Sequence, residues 1–344
     1  MEECDKLKNK RVFHKRSEMM LVTGSGNKEL ARNIAATVGM ELAKVEVGKF
    51  EDGETRVRIE VGEEQSVRGK HVFVIQPICR PVNDNLMELL IMIDALKRSS
   101  AAHITAVIPY YGYARQDKKV IPREPITAKL VADLLETAGV NRVMAMDLHS
   151  ASIQGFFNIP VDHLSSLPTA VKYFEKHGFG GDGTVIISPD VGGVARARGI
   201  AERVGSPLAI ISKRRFKANE VEVFEIIGSV AGKRCLMIDD MVDTAGTLIK
   251  GAEMLKKAGA KSVSAYCTHG ILSESAVENI KESQIEKLII TDTIPLPAEY
   301  KCEKKIKVIS VAGVFGEAIG RAFEEKSISV LFFEKMKAKN ERRV

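Results

Sequence analysis

The stretch Cys235–Thr247 reads CLMIDDMVDTAGT, and the fold is worked out from it. Residues 234–238 form a largely apolar strand that runs into Asp239 and Asp240. Asp243, Thr244, Ala245, Gly246 and Thr247 follow, and TLIKGAEMLKKAG (247–259) reads as a helix ended by Gly259. A strand, a short loop of small residues and a helix N-terminus make an anion cradle. Backbone N–H groups without helical partners and the helix dipole both favour a phosphate there. Thr244 and Thr247 add hydroxyl donors. Two carboxylates would repel that phosphate if both faced it. Because strand neighbours alternate sides, one faces the cradle and the other is held elsewhere. The natural partners of a carboxylate so placed are vicinal sugar hydroxyls. The bland alternative, a capped helix after a strand with a polar end, does not require so specific an order of strand, Asp-Asp and DTxGT.

Outward from this unit, short β-branched runs alternate with helical patterns. Strands are expected at 71–77, 103–109, 142–147, 184–188, 208–212, 234–239, 262–267, 287–291 and 306–311. Amphipathic helices lie between them at 84–98, 125–138, 191–204 and 246–258. Such alternation implies the α/β class, with mainly parallel sheets and right-handed crossovers. Several strands end in polar groups: Asp147 and His149, Asp190, Lys213, Asp239 and Asp240, Asp292. Open α/β sheets bind ligands outside the carboxyl ends of their strands, so these ends are candidate site positions. The Gly-rich EKHGFGGDG (175–183) reads as a connector, and a boundary near 165 leaves two similar domains of ordinary size. The expected division is a disordered tail at 1–19, domains at 20–165 and 166–325, and a segment at 326–344 that returns to the first domain before a polar tail.

Composition narrows the function. The chain is 45% hydrophobic and 28% charged, with a formal net charge of +6, as in a soluble globular protein. Nucleic-acid binding needs a basic stripe interleaved with aromatics; Trp is absent and aromatics are 6%, which argues against it. No apolar run reaches the roughly eighteen residues of a membrane span. The first nineteen residues lack a secretory apolar core, and Glu2, Glu3 and Asp5 do not suit a transit peptide. Cys4, Cys79, Cys235, Cys267 and Cys302 form no CxxC pair, which fits a reducing, cytoplasmic compartment without zinc or disulfides. TGSGNKELA (23–31) lacks the third glycine of a dinucleotide motif and reads as a structural turn. Glu88 and Asp94, on an amphipathic helix, read as solvated.

CLMIDDMVDTAGT resembles the phosphoribosyl pyrophosphate (PRPP) signature of the type I phosphoribosyltransferase fold, shared by phosphoribosyltransferases and PRPP synthetases. By itself the signature does not choose between them. Other blocks do: FEDGE (50–54), PVNDNLMELLIMIDALKRSSA (81–101), PYYGYARQDKK (109–119), PITAKLVADLL (125–135), MDLHS (146–150), IQGFFNIPVDHL (153–164), SPDVGGVARA (188–197) and SKRRFKANE (212–220). In order and over about nine-tenths of the chain, they resemble the ribose-phosphate pyrophosphokinase family. The resemblance implies two domains of the type I fold and a reaction of ATP with ribose 5-phosphate giving PRPP and AMP. It also implies Mg²⁺ as cofactor and dimers that stack into hexamers with active sites at subunit interfaces.

Site residues follow from matched positions. Arg115 and Gln116 match the family's ATP-binding pair, and Asp52, Gly53 and Glu54 match a turn that reaches ATP from a neighbouring subunit. His149 and Asp190 match the Mg²⁺ ligands, His149 being the softer assignment because Mg²⁺ prefers oxygen. Lys213 matches the catalytic lysine, and Arg215 an arginine at ribose phosphate or ATP, both in a closing flap. Asp239, Asp240, Asp243, Thr244, Ala245, Gly246 and Thr247 match the ribose 5-phosphate loop.

Departures touch regulation more than catalysis. Ser152, His163 and Ala312 replace common residues in regions that serve activating phosphate and inhibitory ADP in the family, and Ala245 stands where Gly or another small residue is usual. Two alternatives remain: a non-catalytic synthetase-associated regulatory subunit, against which the complete RQD, DLH, SPD, KRR and DTAGT motifs weigh, and a phosphoribosyltransferase.

Overall fold

The computed structural model describes residues 18–60, 66–214 and 223–332, with the side chains of 213, 214, 223 and 224 outside the description. The chain divides into two compact units, one of Met1–Leu164 with Ala312–Val344, the other of Ser165–Val311. Most of the expected tail, residues 1–17, lies outside the described residues, whereas Met19 already opens a strand.

The first unit begins with β1 (Met19–Thr23), α1 (Lys28–Val38), β2 (Lys44–Lys49) and β3 (Thr55–Glu60). It continues with β4 (His71–Ile75), α2 (Val82–Arg98), β5 (His103–Ile108), α3 (Thr127–Ala138), β6 (Arg142–Met146) and β7 (Val161–Leu164). Its main sheet has the order β1-β4-β5-β6-β7, all parallel. β2 and β3 form a separate antiparallel hairpin. Burial explains the apolar runs: in β4, Val72, Phe73, Val74 and Ile75 are all fully buried, as a parallel strand covered on both faces requires. Leu89, Met92, Ile93 and Leu96 of α2 and Val131 and Leu135 of α3 close one face.

The second unit carries α4 (Leu167–Lys176), β8 (Thr184–Ser188), α5 (Val194–Val204), β9 (Leu208–Arg214), β10 (Val223–Ile227) and β11 (Arg234–Val242). α6 (Gly246–Lys257), β12 (Ser262–Gly270), α7 (Ala276–Glu282), β13 (Lys287–Thr291) and β14 (Ile306–Ile309) complete it. The sheet order is β10-β9-β8-β11-β12-β13-β14, parallel except where β10 pairs with β9. The Gly-rich 175–183 stretch falls inside this unit, leading from α4 into β8, and not between the two units.

The last helix, α8 (Ala312–Phe323), belongs to the first unit and not to the second, where the sequence reading had put residues up to 325. It lies along α1. Gly316 faces Thr37 so closely that a Cβ would collide with it, and Phe315 and Ile319 are fully buried. Burying each such side chain contributes on the order of 1.5–3 kcal/mol. Residues 333–344, the expected polar tail, lie outside the described residues.

Candidate functional site

In the second unit the strand of the opening motif runs further than its apolar residues suggest. β11 stays paired with β12 through Asp239 (opposite Cys267), Met241 (opposite His269) and Val242 (opposite Gly270). The two acids are therefore consecutive strand residues of unequal burial: Asp240 is 4% exposed, while Asp239 is partly open. The Asp240 N–H donates to Asp239 Oδ1 at 2.8 Å. Burial first, then the neighbouring Asp240, push the Asp239 carboxyl up to about 8. Arg196 of α5 opposes that rise, its Nη1 lying 3.6 Å from Asp239 Oδ1 and 3.4 Å from Asp240 Oδ1.

The chain then turns through Asp243 and Thr244 to Ala245, which adopts the left-handed conformation (φ 65°, ψ 0°) with its methyl buried. No side chain caps α6, so the first-turn N–H groups point outward beside the exposed Thr244, Gly246 and Thr247. That is the uncapped, dipole-favoured geometry an anion takes. The Asp243 carbonyl accepts from Ser273 N at 3.1 Å and Val242 O from Ile271 N at 2.9 Å, tying the loop to the end of β12.

One strand over, β8 pairs with β11 (Ile187 opposite Met237), which brings its carboxyl end to the same edge of the sheet. Ser188 Oγ donates to Asp190 O at 2.6 Å, and Asp190 Oδ1 accepts from Gly193 N at 2.8 Å. Asp190 is exposed. Beyond β11, the ends of β12 and β13 carry a buried polar ladder. Tyr266 Oη donates to Ser166 Oγ at 2.7 Å, Ser166 Oγ lies 2.9 Å from Thr268 Oγ1, and Thr291 Oγ1 donates to Thr268 O at 2.7 Å. His269 Nδ1 meets Thr293 Oγ1 at 2.9 Å. Sequence reasoning missed this ladder; its signal was the polar run THG continuing a strand taken to end at 267.

Lys213 sits on β9, its side chain outside the description, and Arg215 lies outside the described residues altogether.

In the first unit, Arg115 and Gln116 are exposed in the loop after β5. That loop is fixed from below. Tyr111 Oη donates to Ala128 O at 3.0 Å, Ala128 N to Gln116 O at 3.2 Å, and Gln116 N to Tyr113 O at 3.0 Å. Gly112 is obligatory, since a Cβ would strike the Ile78 carbonyl. His149 is exposed after the adjacent β6, and the Leu148 N–H beside it donates to His163 Nε2 at 2.9 Å. Of the regulatory departures, His163 thus anchors the His149 loop, Ser152 Oγ pairs with Ser150 Oγ at 2.5 Å, and Ala312 opens α8. Asp52, Gly53 (φ 93°) and Glu54 form the exposed tip of the β2–β3 hairpin, with Glu54 N donating to Asp52 Oδ1 at 3.0 Å.

Glu88 is not solvated: it is 5% exposed. Its carboxylate accepts from Ser25 N, from Ser25 Oγ at 2.7 Å and from Gln76 Nε2 at 3.0 Å. Gly26 N donates to Gln76 Oε1 at 3.0 Å. The TGSGN turn is therefore structural, as its sequence suggests, and Glu88 closes it. Asp94 does face solvent, paired with Arg98 at 2.7 Å.

As a donor set for Mg²⁺, Asp190 offers a hard carboxylate oxygen, and among the described residues no group of three or more His, Cys, Asp or Glu gathers to make a cage. One carboxylate fits a cation that keeps waters and arrives with nucleotide phosphates. No helix among the described residues is long and apolar enough to cross a membrane.

Residues 19–139 match the family model described as the N-terminal domain of ribose phosphate pyrophosphokinase, and residues 210–333 match one for a phosphoribosyl synthetase-associated domain. A protein named ribose-phosphate pyrophosphokinase from Caldanaerobacter subterraneus is 58% identical over 92% of this chain and 98% of its own length. One of that name from Fusobacterium nucleatum is 52% identical, and ribose-phosphate pyrophosphokinase 1 of Streptococcus pyogenes is 54% identical, each over the same shares. The crystal structure of phosphoribosylpyrophosphate synthetase from Mycobacterium smegmatis superposes with a TM-score of 0.83 at 40% identity, covering 90% of this chain and 99% of that one. The chain belongs to the ribose-phosphate pyrophosphokinase family.

Proposed function

We propose that this chain is a ribose-phosphate diphosphokinase, which transfers the β,γ-pyrophosphoryl group of ATP to the C1 hydroxyl of ribose 5-phosphate. The observation that carries the reading lies in the second unit, where a strand ending in an acidic pair leads into an uncapped helix N-terminus. The helix N-terminus suits the 5-phosphate and the acidic pair the vicinal hydroxyls of one sugar. Whole-length relatives named as pyrophosphokinases support it. A phosphoribosyltransferase does not account for the first half of the chain.

In the reaction, the C1 oxygen attacks the β-phosphorus and its proton is lost. An O–P bond to the sugar forms, the bond from the α,β-bridging oxygen to the β-phosphorus breaks, and AMP departs with that oxygen. Such transfer is mainly alignment and charge neutralisation. Thr244, Gly246 and Thr247 hold the acceptor's phosphate, and Asp239, backed by the buried Asp240, accepts from its hydroxyls. Arg115 and Gln116 serve the adenine and phosphates of the donor, joined by Asp52, Gly53 and Glu54 from a neighbouring copy in a homo-oligomer. Lys213 and Arg215 neutralise charge on the transferred group. Asp190 would hold Mg²⁺, with His149 the softer candidate, and the ion would neutralise polyphosphate charge. The free thiols of Cys79, Cys235, Cys267 and Cys302 fit a cytoplasmic setting.

The purified protein with Mg-ATP and ribose 5-phosphate is expected to form AMP and PRPP in equal amounts. Lys213→Ala should lower kcat far more than either KM. AMP formation no greater than that of Lys213→Ala would overturn the reading and favour a non-catalytic associated subunit.

A further inference from the structure

Arg196 has no role in the transfer just described, yet it is the cation set against the acidic pair. It lies in the first turn of α5, three residues after Gly193, whose N–H binds the Asp190 carboxylate. From there its Nη1 reaches both Asp239 and Asp240, at 3.6 and 3.4 Å. Among the described residues, the charged and titratable groups facing Asp239 are Asp240 on its own strand, Arg196 from α5 and the buried Cys267 on β12. Cys267 is held neutral, since burial first, then Asp239 and Asp240, push its thiol well above its ordinary value. Two carboxylates half out of water, with one guanidinium between them, do not both ionise freely near neutral pH.

We infer that Arg196 is a positioning residue of the sugar crevice: it orients the Asp239–Asp240 pair and keeps it charged enough to accept the vicinal hydroxyls of the acceptor. A second consequence is mechanical. Arg196 joins the loop after β8, which carries Asp190, to the end of β11, so the two loops at this edge share one side chain.

The sign follows from charge. Without the guanidinium the pair holds its proton to higher pH, so the ionised form becomes scarcer at neutral pH. About one pH unit of displacement means about a tenfold smaller ionised fraction there. Arg196→Met is expected to raise the KM for ribose 5-phosphate about tenfold at pH 7, with recovery as the pH rises. The KM for Mg-ATP and kcat at saturating sugar should change little, and Arg196→Lys should restore part of the loss.

The inference rests on the proposed acceptor site for its kinetic readout alone. Infrared titration of the protonated-carboxyl band in the unliganded protein reads the same coupling without substrate, with Asp239→Asn assigning the band. Its midpoint should move up in Arg196→Met and partly back in Arg196→Lys. Arg196→Gln, which keeps the stem and an amide donor, takes the place of Arg196→Met if that variant does not fold. An unchanged midpoint, with only a loss of thermal stability, overturns the inference whatever the activity. A displaced midpoint in a protein that makes no AMP supports the inference and overturns the proposed function.

Discussion

The two units string their elements in the same succession: a strand and helix, an antiparallel pair, then strands that extend the sheet to one side. β1-β4-β5-β6-β7 in one corresponds to β8-β11-β12-β13-β14 in the other, with β2–β3 standing where β9–β10 stand. What differs is the treatment of the polar groups at the carboxyl edge. In the first unit the turn after β1 is closed from within, as Glu88 takes the donors of Ser25 and Gln76 and is itself buried. In the second, the turn after β8 leaves Asp190 exposed, the end of β11 leaves Asp239 accessible, and α6 starts without a cap. Satisfied polar groups hold a fold together; groups left with donors and acceptors to spare hold a ligand. At the turn after its first strand, the same topology thus serves as scaffold in one unit and as candidate site in the other.

Removing one carboxylate from each edge separates the two roles. Asp239→Ala should raise the KM for ribose 5-phosphate by about a hundredfold, the loss of charge-assisted hydrogen bonds worth roughly 3 kcal/mol, with the KM for ATP nearly unchanged. A rise confined to ATP would break the assignment of the acidic pair. Glu88→Ala should instead remove the acceptor of the Ser25 N–H and hydroxyl and leave the buried Gln76 amide with Asn85 alone. It should cost about 2–4 kcal/mol in urea unfolding while the folded fraction keeps its KM for the sugar. If that KM moved as far as in Asp239→Ala, the contrast between the two edges would fail. The smallest change sharpens the cradle itself. Ala245 sits at φ 65°, where a Cβ is disfavoured by about 1 kcal/mol, so Ala245→Gly should stabilise by somewhat less than that. Thermal unfolding with and without ribose 5-phosphate reads both the stability and the retained cradle.

Apolar continuity carried most of the strand pattern, because β4, β5, β8 and β13 are buried on both faces. The β2–β3 hairpin escaped for the opposite reason: KVEVGK and TRVRIE alternate apolar with charged residues and never form a run. The apolar run of β11 ends at its first carboxylate, although its ladder to β12 resumes beyond the acids at Met241 and Val242, since backbone pairing is indifferent to side-chain charge at a sheet end. Among candidate site residues, motif order singles out Asp239, Asp240 and the DTAGT loop, but nothing local marks Arg196, whose partners lie 43 and 44 residues away along the chain. Glu88 reads as an ordinary helical acid until the turn it closes, 63 residues upstream, is brought against it.

The position of α8 gives the order of synthesis a meaning. The chain completes the second unit, Ser165–Val311, before it makes the helix that lies along α1. A ribosome adding roughly 5–20 residues per second leaves α1 uncovered for many seconds, while the sheet beside it is already made. A product truncated after Val311 would carry a finished second unit and a first unit that lacks Phe315 and Ile319. Such a fragment would leave the side of α1 that α8 covers open to water, Thr37 included.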